Sequence, residues 1–238
     1  MKFKSLFIAM IIASMLFVVG CNQNNNTENN ATENADAADI TDLPEVVATV
    51  NGVDISKADY LDTYTTMKSS YDSANIDYTT EEGIAFLDAL KDTTLNSLIQ
   101  KEVLIQATVE AGIIITEADV LAEIEAIKSQ YATIEEFQAV LDQNNLTEEE
   151  LLPLFQSEMA MDAFLKSQIE PVLVSDAEAL KEYESYVEQL KASGTTDIPD
   201  YDTVKVPFKA QLVENIEQEQ MLQILNNLVE QSDVIINL

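Results

Sequence analysis

Glu148-Glu149-Glu150 and Glu135-Glu136 are dense groupings of side chains with acid–base potential. Paired carboxylates can flank a reacting bond, one as acid and one as base. Yet the chain carries 43 Asp and Glu in 238 residues, so such neighbours arise from abundance alone. Each group also follows a threonine suited to cap a helix, and the first turn of a helix favours negative charge. No histidine is present to act as a base near neutral pH. Cys21 is the single thiol, and no lysine has an activating neighbour. A His/Cys metal set, a D-x-[DN]-x-[DN]-G calcium loop and a glycine-rich phosphate loop are all missing from the sequence. The inventory predicts no catalytic residue, no metal site and no cofactor.

Binding is the better prospect. Phe155, Met159, Met161, Phe164 and Leu165 crowd one stretch, more apolar than one buried helix face requires. Methionine suits surfaces that accept varied apolar partners, because its side chain is flexible and polarizable. Tyr60, Tyr64 and Tyr71 each offer an apolar ring with a polar tip. Two readings stand side by side: these residues form the core, or Tyr60, Tyr64, Phe155, Met159, Met161 and Phe164 line an open cleft.

The thiol has a different use. Lys2 and Lys4 precede a fourteen-residue apolar run, Leu6 to Val19. A membrane-spanning helix needs about 20 such residues, so the run reads as a secretory leader. Val18-Val19-Gly20-Cys21 resembles a bacterial lipobox, which implies a diacylated Cys21 as the first mature residue. Two acyl chains anchor stably where one does not. Residues 22 to 44 are rich in Asn, Thr, Glu, Ala and Asp and read as a tether. Its mean span would be roughly 25–30 Å. The expected organisation is a leader at 1–20, a lipidated linker at 21–44 and one domain at 45–238. The net charge of −31 becomes −33 once Lys2 and Lys4 leave with the leader. Such a surface repels nucleic acid and anionic headgroups, leaving the lipid anchor as the membrane contact. Nothing in the sequence sets the oligomeric state.

The elements that would position these residues are mostly helical. A Ser or Thr followed three residues later by an acid marks a helix start, because each side chain can satisfy a backbone N–H of the other. The device occurs at Ser56/Asp59, Thr79/Glu82, Thr116/Asp119, Thr133/Glu136, Thr147/Glu150 and Ser175/Glu178. Gly112 and Gly194 stand where two of these helices would end. Ile84, Leu87, Leu98, Ile105 and Val109 recur at a period of 3.6, widened by Ile99, Val103 and Leu104. Pro153 and Pro207 fall within helical patterns and would each kink or delay a helix. Val46 to Val50 reads as a strand ending at an Asn51-Gly52 turn, and Val234-Ile235-Ile236 as a second strand. The fold class is therefore mainly α, with a short N-terminal strand expected to pair with the C-terminal one.

VVATVNGVDISKADY (46–60), LNSLIQKEVLIQATVEAGIIITEADVLAEI (95–124), YATIEEFQAVLDQNNLTEEELLPLFQSEMAMDAFL (131–165) and the tail from Tyr201 occur in a familiar order. Together they resemble the SurA-like and PrsA-like extracytoplasmic chaperones. In PrsA-like foldases a parvulin-type prolyl isomerase domain interrupts this order before the last helix. Here the corresponding stretch, Gly194 to Asp200, is too short to hold one. The resemblance implies an ATP-independent holdase for unfolded or exported polypeptides, on the outer face of a cell membrane and, with Asn22 after the cysteine, in a Gram-positive envelope. It also supplies the client for the candidate cleft. Two alternatives remain open: a prolyl isomerase-type foldase, and a surface adaptor with one dedicated partner.

Overall fold

The computed structural model describes residues 42–71, 74, 76–144 and 146–238. Cys21, the leader and all but the last three residues of the expected tether lie outside them. The described residues form three strands and seven helices. In chain order these are β1 (Val46–Val50), β2 (Val53–Ser56), α1 (Lys57–Ser69), α2 (Glu81–Glu110), α3 (Glu117–Lys128), α4 (Ile134–Gln143), α5 (Glu148–Gln168), α6 (Asp176–Ala192), α7 (Tyr201–Gln231) and β3 (Val234–Ile236).

The strands make one antiparallel sheet in the order β2-β1-β3. Asn51 and Gly52 both take positive φ, 50° and 85°, as a two-residue hairpin turn requires. That turn sends residues 53–56 back along β1, producing β2, a strand absent from the sequence reading. The expected pairing of the two ends is present, with Ala48 opposite Ile236 and Val50 opposite Val234. Asn51 pins the junction. Its Nδ2 donates to Gln106 Oε1 at 2.8 Å and to Ser232 Oγ at 3.2 Å, and its Oδ1 accepts the Asp233 N–H at 2.7 Å.

The described chain divides into two compact units. The larger runs through Ala163 and takes in Leu228–Leu238; the smaller is Phe164–Asn227. Three apolar clusters hold the larger unit. Val47, Ala48 and Val50 of β1 pack on Tyr60, Leu95, Ile99 and Val103. Tyr64 packs with Leu87 and Leu90. Val120, Ile124 and Ile127 of α3 meet Phe137, Leu141, Leu151 and Phe155.

Helix starts follow the capping pattern with one shift. Ser56, Thr116, Thr133 and Ser175 each accept an early helical N–H. Thr147 and Glu150 exchange reciprocal bonds. The start of α2, however, is capped by Thr80, which accepts from Gly83. Thr79 instead donates its hydroxyl to Asp77. Gly83 is the residue that lets α2 begin there, since a Cβ on it would stand 2.0 Å from the Asp77 carbonyl oxygen.

The buried stripe of α2 is also shorter than its periodicity suggests. Ile84 and Val109, in its first and last turns, are exposed. Both prolines lie inside continuous helices, Pro153 in α5 and Pro207 in α7. Intact turns on either side outweigh the one lost hydrogen bond.

Candidate binding cleft

The last turn of α2 closes in a Schellman arrangement. Gly112 takes φ 67° and bonds to the Val109 carbonyl at 3.0 Å, and Ile113 N–H reaches the Thr108 carbonyl at 3.3 Å. A residue with a Cβ adopts that conformation at a cost, so glycine is suited to the position. The chain then leaves the helix as an extended link before Thr116 caps α3. Extended backbone alternates its side chains. Ile113 and Ile115 accordingly turn partly inward, while Ile114 points out. Ile115 packs on the α3–α5 cluster, and its carbonyl accepts from Gln156 Nε2 at 2.6 Å.

This tie between link and helix leaves a cleft of about 320 Å³, walled by Ile105 and Val109 of α2, by the isoleucine link, and by Pro153, Ala160 and Met161 of α5. Its polar groups are largely spent inside the fold. The Thr108 hydroxyl donates to the Leu104 carbonyl at 2.7 Å, and Gln156 is engaged with Ile115. No ionisable side chain lines it. Val109 is 72% exposed and Ile114 83% exposed at its mouth. A concave, neutral, apolar surface of this kind can bind greasy side chains.

The residues singled out in the sequence lie elsewhere, with one exception. Tyr60 and Tyr64 are each 1% exposed, with rings stacked 6.4 Å apart, and the Tyr60 hydroxyl donates to the Lys91 carbonyl. Phe155 is buried in the α3–α5 cluster, with Met159 half-buried against it. Phe164, at the start of the smaller unit, is buried as well. Met161 is the exception, forming the buried floor of the cleft. Apart from Met161, these side chains supply core rather than cleft lining, Met159 only in part. The exposed apolar lining is Val109, Ile114 and Pro153, beside the exposed polar Gln156 and Ser157, and none of these was a candidate from the sequence. A signal was available: Ile113-Ile114-Ile115 sits between a helix-ending glycine and a helix-capping threonine, where a solvated loop would be polar.

Burial pushes the Glu158 carboxyl of α5 above its ordinary value, with Lys101 partly offsetting this. Among the described residues, no group of three His, Cys, Asp or Glu could hold a metal ion. Nor is any helix among them long and apolar enough to cross a membrane.

A small sheet joins both ends of the larger unit and is fastened to its helices, and this arrangement can be set beside known folds. The fold matches a solved structure from work on two SurA-like chaperones of Campylobacter jejuni, the virulence factor PEB4 and the periplasmic protein Cj1289. The TM-score is 0.58 at 14% identity, over 81% of this chain and 99% of that one. The chain belongs to the SurA-like N-terminal domain family, whose description fits residues 2–165. That match ends two residues beyond Ala163, where the main segment of the larger unit stops. Over 155 residues the chain is also 26% identical to the foldase protein PrsA of Caldanaerobacter subterraneus subsp. tengcongensis. The alignment takes in 62% of this chain and 44% of that relative, so the chain spans less than half of its length.

Proposed function

We propose that this protein is an ATP-independent holding chaperone for exported polypeptides, tethered to the outer face of a cell membrane by lipid on Cys21. The observation that carries the proposal is the neutral apolar cleft, with Val109 and Ile114 open at its mouth. An unfolded segment presents apolar side chains without a fixed sequence, and a cleft free of charges accepts them without demanding a specific partner. Release then needs no covalent step, because folding of the client withdraws the same side chains.

The test mixes the full chain with an equimolar, chemically denatured enzyme and follows light scattering. The wild-type protein should suppress aggregation. The double substitution Val109→Ser, Ile114→Ser should lose most of that effect with its thermal midpoint unchanged, because both side chains are exposed. A wild-type protein that suppresses nothing would rule out holding activity, and a fully active variant would rule out this cleft. Anchoring has its own readout: the N-terminal peptide of cell-derived protein should begin at Cys21 and carry the mass of a diacylglyceryl group.

The name of the PrsA relative favours a second reading, a foldase that accelerates prolyl isomerisation. A proline-limited refolding reaction run with catalytic amounts of the chain separates the two. Acceleration supports the foldase, and an unchanged slow phase supports the holdase.

A further inference from the structure

A second groove lies in the larger unit, between α3 and the first turns of α5, and has a volume of about 320 Å³. Its apolar surface comes from Leu121, Ile124 and Leu152; Ile124 is buried at the base, Leu152 is half-buried and Leu121 is exposed. Around these stand Glu125 of α3 and Glu148 and Glu149 of α5, with Lys128 closing one end. The neutral cleft described above has no such rim.

The carboxylates are not equivalent. Glu150, the next residue along, is spent on the helix start, accepting the Thr147 N–H and hydroxyl at 2.8 Å each. Glu148 is paired with Lys128 at 2.5 Å. Glu125 and Glu149 face the same apolar surface from two helices and have no cationic partner among the described residues. The Lys128 end illustrates the favoured chemistry: its ammonium pairs with the Glu148 carboxylate and also stands 5.5 Å from the centroid of the Phe137 ring. A net charge of −31 adds attraction for cations at longer range.

We propose that this groove binds polypeptide segments in which an apolar side chain is flanked by lysine or arginine. The apolar side chain covers Leu121 and Leu152, and the flanking cations meet Glu125 and Glu149. The inference rests on the chaperone reading and narrows its client class, but the two fail separately.

The experiment uses the full chain and two fluorescent peptides with one leucine-rich centre, flanked by lysines in one and glutamines in the other. At low salt the lysine-flanked peptide should bind about tenfold more tightly, the effect of two modest ion pairs. Glu125→Gln with Glu149→Gln should cut that preference to about threefold or less, while affinity for the glutamine-flanked peptide stays the same. Glu214→Gln with Glu219→Gln removes the same charge from exposed positions of α7 and should leave the preference intact. Equal loss in both double variants, or loss in neither, would overturn the groove. Loss of aggregation suppression in Val109→Ser, Ile114→Ser with the lysine preference retained supports two independent sites. A wild-type protein that lacks the preference yet still suppresses aggregation refutes the groove alone.

Discussion

The larger and smaller units are built on different principles. The larger has sheet and helices stacked around three clusters, so strands and helices alike contribute fully enclosed side chains. In the smaller, the 31-residue helix α7 buries no residue completely. It carries instead a half-buried stripe that includes Val204, Phe208, Leu212, Val213, Met221, Ile224 and Leu225. Tyr183 of α6 is the centre of the pairing, with its ring 5.3 Å from Tyr201 and 5.4 Å from Phe208 and its hydroxyl donated to the Pro199 carbonyl. Asp176 at the start of α6 takes Lys205 at 2.7 Å and Lys209 at 2.9 Å. The smaller unit encloses Ala179 and Tyr183 of α6, while the α7 stripe stays half-buried and ring contacts and ion pairs join the two helices.

The sharpest way to break this comparison is to remove one large ring from each unit. Phe137→Ala empties the α3–α5 cluster and should cost about 3–5 kcal/mol in urea denaturation of the full chain. Phe208→Ala removes a ring that water already reaches, so a loss of about 1 kcal/mol is expected. Equal losses would mean that the smaller unit has a core as tight as the larger.

The smallest effect concerns acid. Hydrogen bonds from Lys205 and then Lys209, together with their charges, hold the Asp176 carboxyl down at about 2. A depressed value means the folded state favours the ionised form. Its contribution is therefore complete above the ordinary carboxylate range and fades as pH falls from about 4 through 2. The thermal midpoint of Asp176→Asn should lie slightly below wild type at pH 5, and the gap should close near pH 2. A gap that persists at pH 2 would assign the clamp to packing rather than to charge.

Local features were legible because neighbours in the chain determine them. A capping Ser or Thr, a glycine after the last turn and an Asn-Gly reversal act within a few residues. Even the Thr79-to-Thr80 shift is local, decided by Asp77 competing for the Thr79 hydroxyl. The cleft was not legible in the same way. Met161 and Phe155 have the composition of a sticky surface, yet lie on the inward side of α5, while Val109 has the spacing of a core residue and lies in water. Periodicity identifies which side of a helix faces its neighbours but not how far along the axis those neighbours extend. Ile84 and Val109 overrun them at opposite ends of α2.

By itself, the chain's sequence determined most of the helix starts, the hairpin reversal and the largely acidic surface, all properties of residue type and near neighbours. Only the tertiary structure decided which apolar side chains remain open to solvent. Exposure depends on what distant segments cover, as when Gln156 of α5 holds the Ile113–Ile115 link and leaves Ile114 facing out.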